Sequence, residues 1–398
     1  MVSVEEALSC IENIKCELEE IKVPVSEKIV HSVFSEDVYS ACDLPLFNES
    51  AMDGYAICFG AGPCFEILDN EVKAGDLKSI FLREGQAVRI FTGAPVPDGS
   101  DAVIMQEKVT VMGEKIHVEG SFKKGQNIRY RGEEIQKGNK VFEIGDKITP
   151  ATVGVLASLG IPEVKVYRKP KVAIVVTGNE LTTLNKTLSY GKIYDSNTYA
   201  LGSFLEEQRI ENVQYYHVKD DLRETKEIVL EVLKKHDIVL ITGGISVGDY
   251  DFVKESLDKN GVREFFYKVK QKPGKPLFFG KAAHCFVFGL PGNPAAALTC
   301  AYVYVLPLLN RFKGLKDICL KRSKGIAINH YKKKGDRAHF LKAIFKSGKI
   351  EILEGQGSGM MHSFAKGNAL VYLSEDKKEI NRGDQVENIM LLEGTYVF

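Results

Sequence analysis

The chain lacks most of the signatures that assign a function at sight. Its eight cysteines stand apart at 10, 16, 42, 58, 64, 285, 300 and 319, and no two have C-x-x-C spacing. In a chain of 398 residues that is no disulfide framework and no structural zinc set, and it points to a reducing, cytoplasmic setting. Cys285 and Cys300 lie in apolar runs and read as small core hydrophobes. Excess charge is absent too, since 53 Lys and Arg balance 53 Asp and Glu. Sequence-independent nucleic-acid binding needs clustered positive charge, so no nucleic-acid partner is expected. No run approaches the roughly 18 apolar residues of a transmembrane helix, and no membrane association is expected. The N-terminus, MVSVEEALSCIENIKCELEE, is acidic and amphipathic, unlike a signal peptide. A Walker A sequence is missing, which argues against a P-loop NTPase. No internal repeat is visible.

What is present has the texture of a globular chain of two or three domains, at about 150 residues per domain. Val4, Ala7, Ile11, Ile14, Leu18 and Ile21 alternate at spacings of three and four, predicting one helical seam. Either a core or a second subunit would cover it. From about 45 to 141 the chain turns to short β-like runs, such as 86–91, 102–106 and 115–119, punctuated by Gly, Pro and Asp. Thr149 followed by Pro150 reads as an N-cap and first helical position, with the helix ending near Gly160. Helix, β stretch and helix again suggest an inserted domain.

Residues 170–312 alternate buried strands (171–177, 213–217, 237–242, 284–290) with helices (197–208, 222–235 and a long one from Pro294). That rhythm predicts βαβ units and a parallel sheet. The short β-like runs at 349–353, 369–373 and 395–398 predict a small C-terminal β domain.

In an open parallel sheet, ligands bind beyond the carboxyl ends of the strands. Three strands here end in loops of unusual chemistry: Thr177-Gly178-Asn179-Glu180, Thr242-Gly243-Gly244-Ile245-Ser246 running on to Asp251, and Pro291-Gly292-Asn293-Pro294. Glycines let backbone N–H groups approach an anion, and Asn293 as N-cap with Pro294 next would present a helix N-terminus. Between 254 and 281 eight basic side chains face three acidic ones, and Lys268, Lys272 and Lys275 cluster around KPGKP. An oxyanion or phosphate ligand accounts for this better than a solvated basic face. Glu180, Asp195, Asp220, Asp221, Asp249 and Asp251 fall near strand ends, where hard oxygen donors in a phosphate site suit Mg²⁺.

Gly244-Ile245-Ser246-Val247-Gly248 also fits the G-x-S-x-G nucleophile elbow. The downstream histidines 284, 330, 339 and 362 lack any supporting context, and Gly243 with the nearby acids fits an anion loop better. A second constellation lies earlier: Asp53 in NESAMDGYA, Thr92 in IFTGAPVPDG, and Arg129, Arg131, Glu133 and Glu134 in NIRYRGEEI. These read as turns, or as a cleft wall of carboxylates, hydroxyls and guanidinium groups.

The motifs SAMDGYA, TGAPVPDGSDAVIMQE, IRYRGEEI, TGNEL, GKIYDSN, TGGISVGDYDF, KPGKP and GLPGNP, in that order, resemble the molybdopterin molybdenumtransferase family. The likeness extends more loosely through GQGSGMMHSFAKGNALVYL. It implies a cytoplasmic transferase that takes adenylylated molybdopterin and molybdate, releases AMP with a divalent metal and inserts molybdenum into the dithiolene. It also implies a homodimer of α/β multidomain subunits, with transient contact to a molybdopterin adenylyltransferase. The implied divisions are a discontinuous N-terminal helical part (1–44 plus 142–169), an inserted mainly β domain (45–141), a molybdopterin-binding α/β domain with a central parallel sheet (170–319) and a small C-terminal β domain (320–398).

By motif, the family's catalytic positions fall on Asp53, Thr92, Glu180, Asp220, Asp251, Lys268 and Lys272. Substrate contacts would come from Gly243, Gly244, Ser246, Lys275, Pro291, Gly292, Asn293 and Pro294, and Mg²⁺ ligands from Glu180, Asp220 and Asp251. One departure stands out, Glu134 where the family often has Asp, and it puts a direct role for that side chain in question.

Overall fold

A computed structural model describes residues 1–76, 80–245, 252–318 and 320–391. The chain divides into two compact units, Met1–Ile21 with Tyr167–Phe398, and Lys22–Val166.

The larger unit is built on a six-stranded sheet. Its strands are β1 (Val172–Thr177), β2 (Val213–Val218), β3 (Ile238–Thr242), β4 (Arg263–Tyr267), β5 (Phe278–Ala282) and β6 (Cys285–Leu290), in the spatial order β2-β1-β3-β6-β5-β4. The first four are parallel. Where a parallel sheet was expected, β5 runs antiparallel to both its neighbours, β6 and β4. The cause is local: β5 and β6 are joined by the tight turn at Ala283 and His284, too short for a parallel crossover.

Every residue of β1, β3 and β6 is buried, so both sheet faces must be covered. Helices α1 (Asn197–Glu207), α2 (Leu222–Lys235), α3 (Phe252–Lys259) and α4 (Pro294–Phe312) do this. Along β1 the pleat sends Val172, Ile174 and Val176 towards Leu201, Phe204 and the α4 residues Val303 and Leu308. Ala173 and Val175 pack on the other face with Val229 and Val232 of α2 and Leu257 of α3. By length and composition α4 is apolar enough to cross a membrane, yet 78% of its most apolar stretch is buried in this core. A π-helical turn at Ala301–Val305 interrupts it.

The N-terminal helix spans only Val4–Glu12. Ser3 and Glu6 form a capping box, with Ser3 Oγ accepting from Glu6 N at 3.1 Å and Glu6 Oε2 from Ser3 N at 2.7 Å. Asn13 ends it by donating its side-chain amide to Ser9 O at 2.8 Å, which competes with helix continuation. Leu18 and Ile21 therefore leave the expected seam, and Ile21 enters the strand Glu20–Pro24 instead. Val4, Ala7, Leu8 and Ile11 join the α/β core, so residues 1–21 pack with the larger unit rather than with 22–44.

A second sheet of this unit closes on itself. It runs through Ala338–Lys346, Lys349–Ile352, Arg322–Ala327, Gln385–Met390 and Ala369–Leu373, which pairs back onto Ala338–Lys346. A short strand, Gln271–Lys272, adds to Ala338–Lys346 in parallel and carries the KPGKP segment to this sheet. The 395–398 run expected as a strand lies outside the described residues.

In the smaller unit, a six-stranded sheet runs in the order Ala102–Met105, Gly54–Ile57, Gln86–Ile90, Cys64–Val72, Lys115–Val118, Val109–Met112. Ile29, Phe34 and Val38 share a separate core with Ile148, Leu156, Val164 and Val166, across the intervening β stretch. The helix Pro150–Ser158 begins at Thr149, whose Oγ1 accepts from Thr152 N at 3.2 Å. The chain returns to the larger unit at Tyr167. There Arg168 N donates to Glu19 O at 2.8 Å, and its guanidinium forks onto Asp237 at 3.0 and 3.2 Å.

Candidate functional site

In the sheet of the larger unit, the chain moves from β1 out to β2 and then back to β3 on the other side. The strand order thus reverses between β1 and β3, which is where open α/β sheets bind ligands. Loops after β1, β3 and β6 leave adjacent parallel strands and meet there.

Glycine makes their close approach possible. Gly243 has φ +86°, and a Cβ on it would lie 2.2 Å from the Thr177 carbonyl oxygen. Asn197, at the start of α1, ties two of the loops together: its Nδ2 donates to Thr242 Oγ1 and to Gly292 O, each at 2.8 Å. Thr242 Oγ1 in turn donates to Pro291 O at 3.1 Å. Two buried polar atoms at this mouth have no hydrogen-bond partner among the described residues, Thr177 Oγ1 and Asn197 Oδ1. Buried polar groups are nearly always paired, so this unused capacity marks a place built for something polar.

The acids divide into two groups. Asp195 accepts from Thr198 N at 3.0 Å and Asp221 from Glu224 N at 2.8 Å, so both serve as helix caps. Asp220 accepts from Asn179 N at 3.0 Å, while Asn179 Oδ1 accepts from Asp220 N at 3.3 Å. That reciprocal pair brings Asp220 beside the loop carrying Glu180. Ser246, Asp249 and Asp251 lie outside the described residues. Among the described residues no three His, Cys, Asp or Glu side chains converge as a metal cage. Mg²⁺ asks less, taking one or two carboxylates with water and substrate phosphates, and Glu180 with Asp220 fits that.

The basic run divides into members with ion pairs and members without. Lys254 pairs with Asp258 and Glu264, Lys259 with Glu255, and Lys270 with Asp336 and Glu375. Lys268, Lys272 and Lys275 have no ion pair among the described residues. Lys268 Nζ lies 4.8 Å from the centre of the Tyr267 ring. Lys272 is half-buried and Lys275 exposed, in the segment the parallel strand pairing holds.

Asn293 departs from expectation. It is the N-cap residue of α4 and Pro294 follows it, but its side chain makes no capping bond. Its Nδ2 donates instead to Ser358 Oγ at 3.1 Å, and Ser358 O accepts from Ala296 N at 3.0 Å. Ser358 and its support, Lys342, were not singled out as site residues. Lys342 is 2% exposed, and burial pulls its ammonium down to about 8, still protonated at neutral pH. A lysine inside the apolar run AHFLKAIF was the available signal. Arg337 likewise donates to Gln271 O at 3.3 Å, beside Lys272.

In the smaller unit, Asp53 Oδ1 accepts from Thr92 N at 2.8 Å and from Thr92 Oγ1 at 2.6 Å. Those bonds hold the Asp53 carboxyl below the usual carboxylate range. In NIRYRGEEI, Arg131 pairs with Asp43 at 2.7 Å, Arg129 with Glu49 at 3.1 Å, and Glu133 accepts from Tyr130 N at 2.7 Å. These three side chains brace turns.

Comparison with known proteins agrees with the motif resemblance. The family described as "MoeA N-terminal region (domain I and II)" matches residues 2–160, "Probable molybdopterin binding domain" residues 173–311, and "MoeA C-terminal region (domain IV)" residues 324–391. A protein of Haemophilus influenzae named molybdopterin molybdenumtransferase is 36% identical over 379 residues, covering 90% of this chain and 91% of that one. Its namesake in Staphylococcus epidermidis is 32% identical over 401 residues, covering 98% and 95%. The crystal structure of a molybdopterin biosynthesis moeA protein from Pyrococcus horikoshii OT3 superposes with a TM-score of 0.83 at 30% identity, over 98% of this chain and 100% of that one. With three family regions matched between residues 2 and 391, and relatives aligned over most of their length, the chain belongs to the MoeA family of molybdopterin molybdenumtransferases.

Proposed function

We propose that the chain inserts molybdenum from molybdate into the dithiolene of adenylylated molybdopterin and releases AMP. The carrying observation is the contrast among the lysines: Lys259 and Lys270 are paired with acids, while Lys268, Lys272 and Lys275 have no ion pair among the described residues, and Gly274, between the last two, lies against Ala296 in the first turn of α4.

The reaction must hold two mutually repelling anions together, and Coulomb repulsion at close range is offset only by fixed positive charge and oriented dipoles. Lys272 and Lys275, with Lys268 beside them, are the candidates for holding molybdate oxygens. Backbone N–H groups at Gly243–Gly244 and Gly292–Asn293 suit the pterin phosphate, with Pro291 and Pro294 stiffening the second loop. Glu180 and Asp220 would hold Mg²⁺, which supplies charge neutralisation at the phosphates. Asp53, held ionised by Thr92, is proposed as a further reaction group. Protein thiols have no part, and burial pushes the Cys300 thiol up to about 12. The same reading places the protein in the cytoplasm as a homodimer, receiving its substrate from a molybdopterin adenylyltransferase by transient contact.

Purified protein incubated with adenylylated molybdopterin, Mg²⁺ and molybdate should release AMP only when molybdate is present. Lys272→Ala should raise the KM for molybdate in a salt-sensitive way. ATP-dependent adenylylation of molybdopterin, or molybdate-independent AMP release, would overturn the assignment.

A further inference from the structure

Lys342 presents a buried charge without a counter-charge. It sits in the strand Ala338–Lys346, 2% exposed, and makes no ion pair among the described residues. Its Nζ donates to Gly355 O at 2.7 Å, Gly357 O at 3.1 Å and Met360 O at 3.1 Å. An ammonium has three protons, and three carbonyls take them. Burying such a group is costly unless dipoles are aimed at it, so the charge selects the one loop conformation that turns those carbonyls inward. Gln356 reinforces the choice: its Oε1 accepts from Lys342 N at 2.9 Å and its Nε2 donates to Lys342 O at 2.9 Å.

The far side of that loop carries Ser358. Its hydroxyl accepts from Asn293 Nδ2, and its carbonyl accepts from Ala296 N, a first-turn amide of α4 shared with Asn293 O. The loop is thus held at one edge by Lys342 and meets the first turn of α4 at the other.

We propose that Lys342 is a positioning residue for the transfer reaction: its buried ammonium fixes the 355–360 loop, and through Ser358 sets the orientation of Asn293 at the substrate mouth. This rests on the reading of that mouth as the substrate site, and it acts at a distance, since the ammonium itself is sealed from ligand.

The full chain is compared with Lys342→Met, which keeps the stem and removes the donors, and Lys342→Arg, which restores charge and donors. Lys342→Met should raise the KM for molybdate about tenfold or more with kcat within about threefold, as removal of a supporting group does. Lys342→Arg should bring KM back to within about threefold of the unaltered chain. Amide hydrogen exchange at Ala296 and 355–360 should quicken in the Met variant and recover in the Arg variant. In the unaltered chain these amides should exchange as one group, a measurement that stands if Lys342→Met does not fold. An unchanged KM and exchange pattern in Lys342→Met, no recovery in Lys342→Arg, or separate exchange rates in the unaltered chain would each overturn the proposal. Failure of the transferase reading shows elsewhere, as absence of molybdate-dependent AMP release in the unaltered chain.

Discussion

Single side chains in this protein are separable into those that hold the fold and those held by it. Asp53 belongs to the second kind. It is exposed and accepts two bonds from Thr92, so Asp53→Ala should lower turnover at least about tenfold. Its melting temperature should stay within about 2 °C of the parent, because surface turns contribute little. Parallel losses of activity and stability, read by calorimetry beside the assay, would assign it a structural role instead.

His339 belongs to the first kind. It is 1% exposed, its Nδ1 meets the Tyr331 hydroxyl at 3.0 Å, and its Nε2 has no partner among the described residues. Burial pulls its pKa down to about 4, helped by Lys272, Lys333 and Arg337. The folded chain keeps this ring neutral, whereas the unfolded chain protonates near 6.5. Its stability contribution is therefore intact above about pH 6.5 and declines as pH falls towards 4, by about 3 kcal/mol in all. Urea titrations at pH 7 and pH 5 should show that decline in the parent and a flatter response in His339→Gln. Equal slopes would remove His339 from the account.

At the scale of elements, what the sequence displays depends on how a residue's surroundings are encoded. The fully buried strands β1, β3 and β6 were legible because each is a continuous apolar run ended by glycine or proline. The helix start at Thr149 and Pro150 was legible because capping chemistry is local. The N-terminal seam misled, since spacings of three and four continue to Ile21, while Asn13 closes the helix with a side-chain bond that periodicity does not register.

For the candidate site, the glycine loops and basic cluster could be read, but not which lysines were already neutralised. Lys270 and Lys272 look alike in sequence, and only the fold supplies Asp336 and Glu375 to the first. Gly243→Ala tests the loop packing: at φ +86° with a carbonyl oxygen 2.2 Å from the new Cβ, it should destabilise the larger unit by roughly 2 kcal/mol or more and abolish turnover. A fully active, equally stable variant would show that the loops have room to part. Tyr304, fully buried in the π-helical turn, donates its hydroxyl to the buried Gln271 immediately before Lys272. Tyr304→Phe strands that amide oxygen, and should lower stability by about 1–3 kcal/mol in a denaturant titration. No loss would mean that another donor replaces the hydroxyl.

For the whole molecule, two compact units with separate cores mean that one melting temperature is an incomplete description. Scanning calorimetry should resolve two transitions. Molybdate with adenylylated molybdopterin present should raise the one belonging to the larger unit, because a ligand stabilises what binds it. An upward shift of the other transition alone would place the oxyanion contacts in the smaller unit.

The point at which the chain leaves and rejoins the larger unit has a bearing on how such a protein changes over generations. Glu19 and Arg168 are one backbone hydrogen bond apart, and Arg168 is anchored to Asp237 just before β3. The whole excursion from 22 to 166 therefore hangs from neighbouring anchor points, like a loop of any length tied off at its base. Loops within that excursion can lengthen or shorten without altering the spacing of Glu19 and Arg168.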